Sequence, residues 1–495
     1  MMRKMLQPLP PLSDRDLLRY LQCPHWPYWE IHEDTTFKQP GMEAREELMR
    51  GKLVKEAEIA RKVYGRLSKV DQGKDEEALA LNTLALMQKG AQAIYGGSLL
   101  YEAVVGHPTL LVRKDQPSVF GDWSYMPVLV KRRHVLRKED HLHVGWQAHL
   151  LSKIQGVMPS EAYVLGPDAN LLLSDPRESE TEVKEVIDEL ARIRGGECPE
   201  PTLRKACLDI SPWGTYCLEL AERTGDIALL FQVNRRQRAA LRDVGILSVD
   251  QAAAMDPVQF SGADPRLTLK SLQSIQRQAR SLEEDAVIVR APFTPSEAPY
   301  EIHFDIESHP PTDVDYLFGC LVRDKRRGEE KYVSFVAKRL GDEKRLWMSF
   351  LRWTKTLPEE FVVYHYSMYE QERLGILAKR YETEDHEGLQ RFQAAMVDLN
   401  ELIKDHAVFP LYVYSLKNIG KLVGATWSGE VSHGADSVGA YEHWLQEKDP
   451  NILQALVNYN ENDVRATAKL MEWLVDYART ETIYHRPFPW EGKIR

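Results

Sequence analysis

The chain has 495 residues, 43% of them apolar and 28% charged, with a formal net charge of −10. These proportions describe a globular chain of about two to four domains able to bury a sizeable core, and they exclude a polycation that coats nucleic acid along its whole surface. An enzyme acting on nucleic acid stays within bounds, because metal-binding acids add negative charge while phosphate contacts are local. The five cysteines, Cys23, Cys198, Cys207, Cys217 and Cys320, form no CxxC pair and fit a reducing cytoplasm. Pro8, Pro10 and Pro11 interrupt the opening stretch, so no signal peptide is expected. No apolar run approaches the ~18 residues of a membrane span.

In chain order, Ser13-Asp14-Arg15-Asp16 is a helix-cap pattern followed by Leu17, Leu18, Tyr20 and Leu21. Residues 43–64 and 76–94 are expected as amphipathic helices, and Gly96-Gly97 precedes an apolar strand over 98–105. Strands are expected at 108–113 and 123–131, a helix at 140–155 and a strand at 161–165. Helix, three strands, helix, strand is the order of a restriction-endonuclease-like α/β core.

On those elements, Leu18-Arg19-Tyr20-Leu21-Gln22-Cys23-Pro24, the strand Trp123 to Lys131, Trp146-Gln147-Ala148 and Ile154-Gln155-Gly156 carry a resemblance. Residues 1–225 resemble the RecB-like branch of the PD-(D/E)xK nucleases. That family has an acid two residues before its lysine and an earlier acid in a Gly-x-x-Asp-Leu-Leu pattern. Here those places hold Leu129 and Thr109, beside Lys131, Gln147 and Glu56. The module is therefore expected to be catalytically degenerate; the alternative is that Lys131 with Glu56 or Asp122 retains activity. Relatives also carry four cysteines that can hold an iron–sulfur cluster. Cys23, Cys207 and Cys217 match three of them, the fourth place is Ile210, and Cys198 would substitute only if its loop rearranged. Four thiolates are the usual requirement, so buried, unligated cysteines are the expectation. The basic run Lys131-Arg132-Arg133 reads either as a grip on a phosphate backbone or as a solvated turn.

Residues 226–285 change to helical patterning throughout. Leu241-Arg242-Asp243-Val244-Gly245-Ile246-Leu247-Ser248 is similar to half of a helix–hairpin–helix domain, whose glycine turn lets backbone N–H groups approach a phosphate. Ser248 and Asp250 read equally well as helix caps. Residues 286–299, with Pro292, Pro295 and Pro299, are expected as a linker.

From Tyr300 the pattern is three strands, a helix over 343–355, a strand at Phe361–Tyr366, a helix over 370–381, a strand ending at Asp398, and then helices, with 481–495 as a tail. In the first strand Ile302, Phe304 and Ile306 alternate with His303, Asp305 and Glu307, so two acids project side by side from one face. Holding two carboxylates that close is costly without a proton or a cation, and hard oxygen ligands suit Mg²⁺ or Mn²⁺. Glu370 follows the fourth strand, and Tyr459 and Asp463, four apart, share one helix face. Asp398 opens Asp398-Leu399-Asn400-Glu401 and is expected as a helix cap, and His365 as a hydrogen-bonded core histidine.

Residues 300–480 thereby resemble an RNase H-like, YprB-type domain of the DEDD exonuclease superfamily. Asp305-Ile306-Glu307 matches its first motif, Glu370 the acid of its second, and Tyr459-x-x-x-Asp463 the third in the tyrosine variant; Ser415-Leu416-Lys417 matches a further phrase. The resemblance implies phosphodiester hydrolysis with two Mg²⁺ or Mn²⁺ ions held by Asp305, Glu307, Glu370 and Asp463, Tyr459 orienting water and Lys417 approaching a phosphate. The reading is a cytoplasmic, metal-dependent 3′-to-5′ exonuclease on single-stranded or frayed DNA, with the preceding modules as a substrate platform. RNA is the nearest rival substrate, and a nucleic-acid-binding scaffold whose two nuclease folds have both decayed is the rival of another class. Protein partners are not readable, and no membrane association is expected.

Overall fold

The computed structural model describes residues 9–40, 42, 46, 55–132, 134–200, 203, 205–231, 233–428 and 434–491. The chain divides into two compact units, residues 1–217 with 310–313, and residues 218–309 with 314–495. The helical stretch expected as a separate domain thus belongs to the second unit.

The first unit is built on a six-stranded sheet in the order Ser68–Lys69, Ala93–Tyr95, Leu110–Lys114, Ser124–Val130, Ala162–Leu165, Leu171–Ser174. Ser124–Val130 is buried along its whole length, antiparallel to Leu110–Lys114 and parallel to Ala162–Leu165. The parallel pair needs a crossover, and helix Lys138–Gln155 supplies it. Ser13 caps the first helix, Asp14–Gln22, in a reciprocal capping box with Asp16. The strand expected over 98–105 is instead a hairpin, Leu99–Tyr101 paired with Val104–Gly106, because Glu102 takes a positive φ of 52° and turns the chain. Of the helix expected over 43–64, the described part is Glu56–Tyr64; most of the remainder lies outside the described residues. The second expected helix stops at Gln88, and Ala93–Tyr95 is a strand.

In the second unit, helices at Arg235–Asp243 and Val249–Ala254 are joined through Gly245, whose φ of +84° suits a residue without a Cβ. The stretch expected as a linker contains a strand, Ala286–Val289, between Ala407–Val408 and Thr482–His485 and antiparallel to both. Its partners come from more than a hundred residues away, which is why local pattern missed it. The prolines that suggested a linker follow the strand.

The second unit's main sheet has five strands: β1 (Tyr300–His309), β2 (Val314–Asp324), β3 (Glu329–Val336), β4 (Phe361–His365) and β5 (Met396–Asp398). Their order is β3-β2-β1-β4-β5, with β1, β2 and β3 antiparallel and β4 and β5 running parallel to β1. The helices are α1 (Glu343–Thr354), α2 (Tyr369–Arg380), α3 (Glu387–Ala394), α4 (Leu399–His406), α5 (Leu416–Leu422), α6 (Gly434–Glu447) and α7 (Pro450–Tyr477). Ile302, Phe304 and Ile306 enter a core with Phe318, Trp347, Phe350 and Phe392. The alternate residues of β1 then face the other side, where α7 packs on β1 and β2. Among the described residues no helix is long and apolar enough to cross a membrane.

Candidate active site

Strand β1 carries Asp305 and Glu307 on the face that meets α7, and α7 presents Tyr459 and Asp463 one turn apart. The outcome is a convergence of acids: one carboxylate oxygen from each of Asp305, Glu307 and Asp463 lies within 4.8 Å of the other two. The β1–β2 register shifts between Glu307 and Ser308, so a bulge lies at the site and re-aims the end of the strand. Ser437 of α6 donates to Glu307 Oε2 at 2.9 Å, and the indole N–H of Trp427 donates to Asp463 Oδ1 at 2.5 Å. Asn460, fully buried beside Tyr459, donates from Nδ2 to Asp305 Oδ2 at 2.6 Å.

Glu370 stands apart from this group. It is 4% exposed at the start of α2, with Oε2 3.5 Å from His365 Nδ1, and it is not among the three acids that converge. The turn that delivers it is unusual, because Ser367 has φ 82° without being glycine, held by its N–H donating to Asp398 Oδ1 at 2.8 Å. Asp398 also caps α4 through the N–H of Asn400. His365 is buried and donates from Nδ1 to the Ser367 carbonyl at 2.6 Å.

The electrostatics show unrelieved negative charge. Burial, followed by the charges of Glu307, Asp463 and Glu370, pushes the Asp305 carboxyl well above the usual range. Burial and the Asp463 charge raise Glu307 to about 8. Burial raises Asp463 and Glu370 as well, against the hydrogen bonds each accepts. Lys417 lowers Glu307 and Asp463, but not enough to reverse either shift. Its Nζ donates to the Tyr459 hydroxyl at 2.8 Å and lies 4.5 Å from the centre of that ring. Burial and the surrounding acids push the Tyr459 phenol upward, so it holds its proton throughout the neutral range. Three converging hard oxygen donors whose raised carboxyls the protein only partly compensates fit a divalent cation of the Mg²⁺ or Mn²⁺ kind.

The first unit treats its corresponding residues differently. Leu129 is 2% exposed in an apolar cluster with Val144, Ala162 and Val164, and Thr109 Oγ1 accepts the Val130 N–H at 3.0 Å. Leu129 therefore serves packing and Thr109 backbone pairing. Lys131 is 8% exposed and lines a cavity of about 250 Å³ with Asp14, Glu56, Leu129, His107 and His143. Gln147 is fully buried and donates to Asp14 Oδ2 at 3.0 Å, while Asp122 is exposed. Arg132 is half-buried, and Arg133 lies outside the described residues. Three of the four cysteines in question converge. The Cys23 thiol is within reach of Cys207 and Cys217, all three buried, whereas Cys198 is exposed and meets this group through the ring of His25.

What sequence reasoning missed at the C-terminal site is the layer behind the acids, namely Asn460, Ser437 and Trp427. Asn460 and Ser437 are ordinary helix residues in the sequence, and only the register of β1 against β2 reveals what Asn460 does.

Residues 302–475 match a family model of the RNase H superfamily. No curated protein and no solved structure matches the chain. The C-terminal domain is thus RNase H-like, which points to a nuclease-type hydrolase of phosphodiester bonds, with nucleic acid as its substrate.

Proposed function

We propose that the C-terminal domain is a metal-dependent 3′-to-5′ exonuclease acting on single-stranded or frayed DNA. The observation that carries the nuclease reading is the convergence of Asp305, Glu307 and Asp463, whose carboxyls stay raised although Lys417 opposes the shift at two of them. The polarity and the DNA preference rest on the ordered DEDD-type motifs. Asp305, Glu307, Glu370 and Asp463 would together hold two divalent ions, three of these acids already converging. Bound Mg²⁺ or Mn²⁺ would supply an acidified water and neutralise charge at the leaving oxygen.

The chain's own residues do the positioning. Ser437 and Trp427 each fix one carboxylate oxygen of a ligand. Lys417 donates to the Tyr459 oxygen, which leaves the phenolic hydrogen free to point at Asp463 or at an attacking water. Because its pKa is raised, Tyr459 orients and does not act as a base. In the same reading the N-terminal unit is a RecB-like PD-(D/E)xK fold stripped of its metal ligands, and the stretch around Gly245 is a helix–hairpin–helix module. The first is supported by the strand–helix–strand crossover and by Lys131, Leu129 and Thr109, the second by the two short helices around the glycine turn.

The test is a 5′-labelled single strand of DNA incubated with the full chain and Mn²⁺ or EDTA, beside Asp305→Ala and an RNA strand of the same sequence. The expected result is a metal-dependent ladder shortening from the 3′ end, lost in the variant. Degradation of the RNA alone would move the substrate to RNA. Cleavage of neither strand, with no Mn²⁺ uptake by calorimetry, would leave the scaffold reading.

A further inference from the structure

Opposite Asp305 in the β1–β2 ladder stands Gly319. A Cβ built there would lie 1.6 Å from Asn460 Oδ1 and 2.9 Å from the Tyr332 hydroxyl, an overlap no side chain survives. The carboxamide of Asn460, carried by α7, therefore occupies the notch that the missing side chain leaves in the sheet. Inside it every polar atom is used. Tyr332 donates to Asn460 Oδ1 at 2.8 Å, and Asn460 Nδ2 donates to Asp305 Oδ2 at 2.6 Å. The main-chain carbonyl of Asp305, which can only accept, also lies 3.4 Å from that nitrogen, so the amide nitrogen faces Asp305 and the amide oxygen faces the phenol. Asn460 is fully buried, as a residue locked in one rotamer would be.

We propose that Asn460 is a positioning residue of the carboxylate centre: it clamps one oxygen of Asp305 and leaves the other to aim at the cation, with Gly319 providing the space and Tyr332 fixing the amide. The inference rests on the metal-site reading above. A group behind a ligating carboxylate sets its direction and basicity, and losing such a partner typically costs about 10–100-fold in metal affinity. Asn460 does not reach the cation, so its effect passes through Asp305.

The geometry makes a demand that a merely structural asparagine would not. Gly319→Ala, which touches no polar group, should expel the amide and weaken Mn²⁺ binding about as much as Asn460→Ala does. The double variant should be no worse than either single one, because the three residues act as one unit. Calorimetric titration of Mn²⁺ into the full chain reads the affinity, the EPR line shape of bound Mn²⁺ reads the ligand geometry, and the metal-free Tm separates loss of fold from loss of site. The expected result is a loss of about tenfold or more in both single variants, no further loss in the double, and an altered line shape. Asn460→Ala binding Mn²⁺ within about twofold of the wild type would overturn the proposal. Should the Asn460 and Gly319 variants fail to fold, Tyr332→Phe removes only the phenol that fixes the amide. A severalfold loss there supports the clamp, and unchanged affinity with an unchanged line shape overturns it. No Mn²⁺ uptake by the wild type would instead strike the metal-site reading on which the clamp rests, an outcome distinct from a wild type that binds and a variant that binds equally well.

Discussion

The two clefts of this chain face the same electrostatic problem and solve it in opposite ways. In the N-terminal cleft the protein supplies its own cation. His107 places Nδ1 3.0 Å from Asp14 and Nε2 3.1 Å from Glu76, and Asp14 also accepts from His143 and Gln147. Burial alone would raise Asp14, but the hydrogen bonds from His107 and His143 hold it well below the usual carboxylate range. Burial likewise opposes charge on His107, yet Asp14 and Glu76 bring it up to about 9. In the C-terminal cleft Lys417 lowers Glu307 and Asp463, yet burial prevails and the acids are pushed upward. A buried acid cluster neutralised from within has no call for an external ion, whereas one left uncompensated is destabilised until an ion or a proton arrives.

The sharpest way to break this contrast is Asp305→Asn. If the C-terminal acids await a cation, the variant loses at least about a hundredfold in Mn²⁺ affinity, more than loss of an outer-shell partner costs. Its metal-free Tm should nevertheless rise, because a carboxyl that burial and its neighbours disfavour has gone. Calorimetry and thermal melts in EDTA check the two halves separately. A metal-free Tm that falls would mean that the carboxylate is a structural partner, and the contrast between the clefts would collapse.

How far this contrast was legible before folding depends on whether its cause is local. The two faces of β1 were readable because alternation is a property of six adjacent residues, and Tyr459 with Asp463 because a four-residue spacing fixes a helix face. The places of Leu129 in an apolar cluster and of Thr109 in a backbone hydrogen bond were not readable. The layers that decide the chemistry were hidden because their partners are remote. His107 is 93 residues from Asp14, Asn460 is 155 from Asp305, and Ser437 is 130 from Glu307. The strand Ala286–Val289 failed to show for the same reason, and the standing-off of Glu370 depends on a strained turn at Ser367 that composition does not announce.

Acidity offers a subtler test, since the carboxylates of the two clefts should respond to pH with opposite signs. Glu307 has a folded value near 8, above its unfolded one, so the folded state keeps a proton that the unfolded state has lost. Its burial is least costly below the unfolded value of about 4.3, and stability falls as pH rises from there to about 8. Asp14 runs the other way, contributing above its unfolded value and failing as pH drops through its depressed folded value. His107 contributes fully below about 6.5 and is lost as pH climbs through about 9. Mn²⁺ should therefore raise Tm more at pH 8 than at pH 5, and Asp305→Asn should abolish that difference. His107→Gln should leave it intact while flattening the decline between pH 6.5 and 9. A Mn²⁺ response that His107→Gln removes would tie the ion to the wrong cleft.

The smallest expected effect is the most telling about the N-terminal unit. On the proposed reading Lys131 is the lysine of a degenerate motif, yet it lines a cavity with an apolar Leu129 and with Asp14, which is already paired with His107. Lys131→Ala should leave both the rate of strand shortening and the product ladder unchanged to within about twofold, measured on the same 5′-labelled DNA. A changed product pattern would show that the self-neutralised cleft can open. Glu56, on the wall of the same cavity, would then be the acid to replace next, because Asp14, the other acid lining it, is paired with His107.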